Sequence, residues 1–251
     1  MSVNVGLPRQ VTWKGEVVTT GIFKQSVDGR VDVAGVNLAG DRQADLTVHG
    51  GDDKAVYVYP SEHYPYWHEE LGRDLPWGMF GENLTVFHVG LEDDIAIGDR
   101  LRIGSAEFVV TQPRLPCFKL GIRFDDAGMV RRFLASARTG YYLRIVSEGD
   151  VGRGDRAEVI APHPAHVPVS EITRLVARDR TDVEGLRRVL ALEVLPDAWR
   201  SFFEQLHERA IQGAIKRSSA SPTRSISELV GVDHPPVDLV MVKADVPRRD
   251  S

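Results

Sequence analysis

The 251-residue sequence holds a single cysteine, Cys117. One thiol cannot close an intrachain disulfide, build a cysteine-rich zinc site or supply the four thiolates of an iron–sulfur cluster. Redox work by this chain therefore requires a bound cofactor and electrons from a separate donor. Long apolar runs are also missing, since none approaches the roughly 20 residues of a membrane span. Met1 to Arg9 lack a basic start followed by an apolar stretch, so the expected compartment is the cytoplasm. Basic residues are in deficit, 31 Lys and Arg against 36 Asp and Glu. The resulting net charge of −5 gives no general attraction to nucleic acid or to an anionic membrane. His68-Glu69-Glu70 begins like a zinc-protease motif, but Gly72 stands where the second histidine belongs. No Gly-x-Gly-x-x-Gly follows a strand, no Gly-Lys-Ser/Thr closes a phosphate loop and no Gly-x-Ser-x-Gly elbow occurs. These absences argue against a Rossmann dehydrogenase, a P-loop NTPase and an α/β-hydrolase.

What is present is an ordinary globular balance, 42% hydrophobic and 27% charged. To about His163 the chain is rich in glycine and in short β-branched or aromatic runs. Val17 to Phe23, Ala55 to Tyr59, Asn83 to Phe87, Leu101 to Ile103, Ala106 to Thr111 and Tyr141 to Val146 read as strands. Gly104-Ser105 between two of them predicts a hairpin. Helical spacing predicts one helix from near Ser61, carrying Trp67 and Leu71, and another over Asp126 to Ser136. Many short strands with few helices between them predict a mainly β, α+β domain built on a mixed or antiparallel barrel. Gly-Asp-Arg recurs at 40–42, 98–100 and 154–156 and reads as turns leading into strands.

After Pro162-His163-Pro164 the pattern changes. Segments capped by Ser170 and Asp182 and a third opened by Pro196 carry apolar stripes at 3.6-residue spacing, which predicts a three-helix module. The expected division is 1–164 for the barrel domain, 165–215 for the helices and 216–251 for a linker-like, partly mobile tail. Val237 to Val242 is the one strand-like run within that tail.

Few clusters have chemical potential. Gln112-Pro113-Arg114-Leu115-Pro116-Cys117-Phe118-Lys119 follows a strand, and its two prolines predict a stiff loop that carries the thiol. Arg114 and Lys119 beside it suit a metal ligand or nucleophile; a small buried thiol is the plainer reading. His49-Gly50-Gly51 with Lys54 has the glycines and the charge for an anion site, and equally the makings of a glycine hairpin with a solvated lysine. Gly21-Ile22-Phe23-Lys24 and Gly81-Glu82-Asn83 either present polar groups at a barrel mouth or are plain turns. Tyr57, Tyr59, Tyr64, Tyr66 and Trp67 fit a core better than a stacking platform.

Several segments together resemble the MOSC family, named after the C-terminal domain of molybdenum cofactor sulfurase, and its YiiM-like branch linked to resistance to 6-N-hydroxylaminopurine. They are Ser2-Val3-Asn4-Val5-Gly6, Gly21-Ile22-Phe23-Lys24, Gly40-Asp41-Arg42-Gln43-Ala44-Asp45, Val48-His49-Gly50-Gly51, Asp53-Lys54-Ala55-Val56-Tyr57, Tyr59-Pro60-Ser61-Glu62-His63-Tyr64, Phe80-Gly81-Glu82-Asn83-Leu84 and Gln112 to Leu120. The three predicted C-terminal helices resemble that branch's extension. The resemblance implies a β-barrel-like domain binding a molybdenum–pterin cofactor of the molybdopterin type, with Cys117 as the ligand to molybdenum. Soft sulfur donors suit that metal. The pterin ends in a phosphate, so Lys24, Gly50, Gly51, Lys54, Asn83, Arg114 and Lys119 are the expected cofactor-binding residues. The implied activity is that of a molybdenum-dependent oxidoreductase that reduces N-hydroxylated bases, or related small N–OH compounds, to amines. Cys117 and His49 are its expected catalytic residues, His49 as proton donor. A flavin- or ferredoxin-type reductase is the implied electron donor, with neither nucleic acid nor membrane as partner. The alternative is a sulfur carrier holding a persulfide on Cys117 for delivery to a metal centre.

Overall fold

The computed structural model describes residues 1–44 and 51–219, with side chains through residue 217. His49, Gly50 and the strand-like run Val237 to Val242 lie outside the described residues. The first strands are β1 (Ser2–Val5), β2 (Arg9–Trp13), β3 (Glu16–Thr20), β4 (Gln25–Val27), β5 (Arg30–Ala34) and β6 (Asn37–Leu38). Then come β7 (Val56–Pro60), α1 (Tyr64–Leu71), β8 (Leu84–Val86), β9 (Arg100–Ile103), β10 (Ala106–Pro113), α2 (Phe118–Phe124) and α3 (Met129–Ser136). The chain continues through β11 (Tyr141–Ser147), β12 (Gly149–Gly152), β13 (Ala157–Ala161), α4 (Val169–Ala177), α5 (Val183–Leu190) and α6 (Asp197–Ser219).

Eight strands form one curled sheet, a half-barrel, in the order β13-β9-β10-β11-β7-β8-β1-β4. All its pairings are antiparallel except β7 with β8, where Val58 lies opposite Leu84. That parallel step needs a crossover, which residues 61–83 supply by way of α1. Two small sheets, β12-β5-β6 and β2-β3, complete the β structure.

The sequence Val56-Tyr57-Val58-Tyr59 explains how the layers meet. Side chains alternate along a strand, so Val56 and Val58 enter one core while Tyr57 and Tyr59 enter another. The valine side joins the sheet to α4–α6 through Val169, Ile172, Leu186, Val189 and Phe203. The tyrosine side packs under α1–α3 with Trp67, Phe80, Phe124 and Phe133. There the Tyr59 ring stacks on Phe80 at 4.5 Å, and the Trp67 indole N–H donates to the Tyr59 hydroxyl at 2.7 Å. The tyrosines are core, as their clustering predicts, and Tyr57 also reaches the cleft described below.

The predicted hairpin is present, with Ile103 opposite Ala106 across Gly104 at φ 61°. The three Gly-Asp-Arg turns share two features. Each glycine has positive φ, and each aspartate accepts backbone N–H groups: Asp41 from Gly6, Asp99 from Ala96 and His163, Asp155 from Gly152. A turn whose carboxylate replaces missing backbone partners recurs without an internal repeat.

Other expectations change. The strand predicted over Val17 to Phe23 ends at Thr20, because Gly21 passes too close to the chain at Arg42. A Cβ on Gly21 would lie 2.6 Å from the Arg42 carbonyl oxygen. The helix predicted from Asp126 begins at Met129. Asp126 instead accepts the Gly128 N–H at 2.7 Å. The stiff loop around Cys117 is shorter than predicted, since α2 starts at Phe118. Prolines at 113 and 116 restrain only what precedes Cys117, and Leu120 and Phe124, one turn apart, then pull the segment into the aromatic core. Ser170 lies inside α4 and caps nothing; Pro168 holds the N-cap position. Asp182 does cap α5, accepting the Gly185 N–H at 2.9 Å. α6 follows Pro196 as expected but continues through Lys216 to Ser219, past the predicted start of the linker.

Polar ties lock the outer layers. Asp150 accepts from Ser105 at 2.6 Å and from Arg30, joining β12 and β5 to the β9–β10 turn. These bonds hold the Asp150 carboxyl down at about 2. Its stabilising contribution is therefore complete above the ordinary carboxylate range and is lost as pH falls through about 2. Asp150→Asn should flatten the acid limb of a stability-versus-pH curve in that window.

A second expectation follows from the shared valine-side core. Phe203→Ala should lower stability by about 3–5 kcal/mol and keep a single urea transition for sheet and helices. Two separated transitions would contradict the shared core.

Candidate functional site

β10 ends at Pro113, and Cys117, directly after Pro116, is the N-cap residue of α2. Cys117 is half-buried and lines a cleft open on one side, with about 670 Å³ between its walls when the mouth is included. Thr20, Gly21, Ile22 and Lys24 line it together with Asp41 to Ala44, as do Arg114, Leu115, Cys117 and Lys119. Tyr57, Asn83 and Tyr142 form its base, and Lys54 flanks it.

Six residues singled out from the sequence, Lys24, Lys54, Asn83, Arg114, Cys117 and Lys119, thus line one cavity. Gly51, exposed at φ 98°, is not part of its wall. The structure also enlists Asp41, Arg42, Gln43, Tyr57 and Tyr142. For Asp41 and Arg42 the triplet Gly40-Asp41-Arg42 was the local signal, and as a turn motif it does not distinguish a buried carboxylate from a solvated one.

The wall's internal chemistry centres on Asp41, which is 6% exposed. Its carboxylate accepts from the Gly6 N–H at 2.9 Å, from the Asn83 amide at 2.8 Å and from the Lys24 ammonium. Asn83 in turn accepts the Tyr57 N–H at 3.0 Å, which fixes the cleft to β7. Burial pushes the Lys24 pKa down while Asp41 opposes the shift. Lys24 and Asn83, expected to hold a ligand, are therefore first of all engaged in this network. Beside them Glu82 is fully buried and accepts from Gly78 N–H at 2.9 Å, Phe80 N–H at 3.1 Å, Thr85 hydroxyl at 2.9 Å and the Tyr64 hydroxyl. Burial raises its pKa against those bonds. Of the Gly81-Glu82-Asn83 turn, Asn83 faces the cleft and Glu82 does not.

Lys54 is set in place by its backbone. The turn Asp52–Lys54 is tied to β10 and β11 through Thr111 hydroxyl to Asp53 carbonyl at 2.6 Å and Arg144 to the Asp53 carboxylate at 2.8 Å. The Gln43 amide donates to the Lys54 carbonyl at 2.7 Å. Burial lowers the Lys54 pKa, opposed by Asp53.

Arg114 is the most telling cation. It is 6% exposed, and its guanidinium carbon sits 5.2 Å from the Tyr57 ring centre and 5.3 Å from that of Phe133. Burial works against its charge, but Tyr57, Tyr142 and Cys117 around it hold its pKa above the ordinary arginine value. Its Nη1 is buried with no hydrogen-bond partner among the described residues. A buried charged donor without an acceptor is costly, and this one belongs to a residue that lines the cleft.

Two family models match the chain, one described as MOSC domain over residues 45–158 and one as YiiM-like, 3-alpha helix domain over residues 167–208. The chain is 38% identical over 212 residues to a Bacillus subtilis protein named "Uncharacterized protein YflK", spanning 84% of this chain and 95% of that one. The chain belongs to the MOSC family. A crystal structure of YiiM from Geobacillus stearothermophilus has the same fold, with a TM-score of 0.69 and 30% identity over 82% of this chain and 97% of that one. A Gibberella moniliformis protein named "Reductase" is 31% identical over 169 residues, 65% of this chain but only 30% of its own length. The MOSC match contains Lys54, Asn83, Arg114, Cys117 and Lys119, whereas Lys24 and Asp41 reach the cleft from residues before it. In this MOSC chain, then, the segments that follow β3 and β6 help to line the cleft. No helix among the described residues is long and apolar enough to cross a membrane.

Asp41→Ala leaves the Lys24 ammonium buried without its counter-charge and should cost about 3–5 kcal/mol. Denaturant unfolding checks this, and a loss below about 1 kcal/mol would mean that Lys24 finds water or another acceptor.

Proposed function

We propose that this protein is a molybdenum–pterin-dependent reductase of N-hydroxylated bases or related small N–OH compounds, with Cys117 as the ligand to molybdenum. The observation that carries the reading is the pairing of a cleft-lining thiol with the buried Arg114, whose Nη1 has no acceptor among the described residues. MOSC domains as a class are associated with the molybdenum cofactor.

The residues present fit such a group. No cluster of three or more His, Cys, Asp or Glu side chains able to hold a metal exists among the described residues. A single thiol therefore suits a metal whose other donors arrive with an organic carrier, and sulfur suits molybdenum. Arg114, Lys54 and Lys119 would meet the carrier's negative charge, Arg114 most strongly because it is buried and has a donor to offer. Tyr57 and Ile22 give the cleft apolar surface that excludes water.

When bound, the cofactor supplies a two-electron couple. The overall reaction is R–NHOH plus two electrons and two protons giving R–NH2 and water, in which the N–O bond breaks and nitrogen is reduced. His49 remains the proposed proton donor, and a flavin- or ferredoxin-type reductase the proposed electron source. The relative named "Reductase" supports this class of chemistry.

The test is elemental and pterin analysis of wild type, Cys117→Ser and Arg114→Gln, each made in a host that synthesises the cofactor. Cys117→Ser should lose bound molybdenum, and Arg114→Gln should hold the pterin roughly 10–100-fold more weakly. Wild type without molybdenum, but with cyanide-releasable sulfur on Cys117, would support the sulfur-carrier reading instead.

A further inference from the structure

Beyond the cleft, three arginines from separate parts of the chain converge on the outer side of α2. Arg9 opens β2, Arg73 follows α1 and Arg123 lies in the last turn of α2. The Arg9 guanidinium sits 3.6 Å from the centre of the Phe23 ring, and Arg123 lies 5.2 Å from the same centre. Arg73 sits 6.0 Å from the Phe124 ring. None of the three makes an ion pair among the described residues, whereas nine other arginines there do, Arg30, Arg100, Arg144 and Arg174 among them. They repel one another: after burial, the charges of Arg9 and Arg73 lower the Arg123 pKa, and the principal acidic opposition is Glu82. Glu82 is fully buried, and its carboxylate already accepts from Gly78, Phe80, Thr85 and Tyr64. The Nε of Arg123 is buried without a partner among the described residues.

Like charges left together without counter-charges cost stability, and in a chain of net charge −5 they run against the overall sign. Their place matters too. Lys119 lines the cleft, and Arg123 follows it by four residues on α2, one turn or about 6 Å further along the same face. At the N-terminal end of α2, Phe118 is 46% exposed and Leu115, just before Cys117, is 39% exposed. Large exposed apolar side chains beside a ring of cations are the composition of a docking face for another protein.

We propose that Arg9, Arg73 and Arg123, with Phe118 and Leu115, form the docking face for an acidic electron-carrier protein, which they hold against the mouth of the cleft. This rests on the reductase reading above. The arginines orient the acidic partner, and the apolar pair provides the dry contact next to Cys117. Docking by charge at a rim gives fast, salt-sensitive association, as suits a donor that must come and go.

The test uses the full chain, made in a cofactor-synthesising host, and an acidic flavodoxin as probe. Binding is measured by calorimetry at low and at physiological salt. The triple variant Arg9→Gln, Arg73→Gln, Arg123→Gln should bind about tenfold more weakly and lose most of its salt dependence. Arg187→Gln, on the exposed face of α5, should bind as wild type does. Should the triple variant fail to fold, Arg9→Gln and Arg73→Gln, both on exposed residues, should each weaken binding about threefold. Unchanged binding in these variants overturns the proposal. So does tight, saturable binding of inorganic phosphate that the same variants abolish, which would make the cluster a small-anion site. Turnover with dithionite as reductant separates the two claims. If neither wild type nor triple variant reduces an N-hydroxylated base, the reductase reading fails, while the flavodoxin titration still decides the docking face.

Discussion

Along β7 every residue is buried, and because side chains alternate, the strand must satisfy two different interiors at once. Val56 and Val58 face a core of aliphatic residues that the sheet shares with α4–α6, and Tyr57 and Tyr59 face an aromatic one under α1–α3. A strand placed in this way cannot slip by one residue, since the slip would drive tyrosines into the valine layer and valines into the aromatic one. The cleft inherits that rigidity. Tyr57 forms part of its base, and the Tyr57 N–H is held by Asn83, whose amide holds Asp41.

Charge in the cleft is arranged in two layers. The inner layer is satisfied: Asp41 with Lys24, Gly6 and Asn83, and beside it Glu82 with four donors. Such networks hold shape because each member would be costly to leave unpaired. The outer layer contains Arg114, whose Nη1 has no hydrogen-bond partner among the described residues, and with it Cys117 in the lining of the cleft. Stability therefore resides in one layer and the capacity to bind in the other. Further out, Arg9 and Arg123 around Phe23, which make no ion pair among the described residues, extend positive charge away from the cavity along α2.

The residues that face the cleft were mostly legible because their types are unusual in context: a lone cysteine after two prolines and between two cations, and lysines near glycines. Asp41 was not legible in that way. As the second residue of a Gly-Asp-Arg turn it looks like any solvated aspartate, and Asp155 in the same triplet is paired with an exposed arginine. What distinguishes Asp41 is the approach of Gly6, Lys24 and Asn83 from distant parts of the chain. α2 was hidden for a related reason, since its prolines and glycine suggest a loop and only the aromatic core beneath Leu120 and Phe124 makes a helix the better arrangement.

By itself the sequence determined the strand-rich first part, the hairpin at Gly104, the three apolar stripes after Pro168 and the chemistry that one thiol allows, because these depend on local period, turn geometry and composition. Tertiary structure alone decided that the sheet stops at a half-barrel and that Lys24 is paired with Asp41. It alone decided as well that the Nη1 of buried Arg114 has no partner among the described residues and that Arg9 and Arg123 meet at Phe23. The physical reason is the same throughout: burial, pairing and desolvation are properties of neighbours, and these neighbours are far apart along the chain.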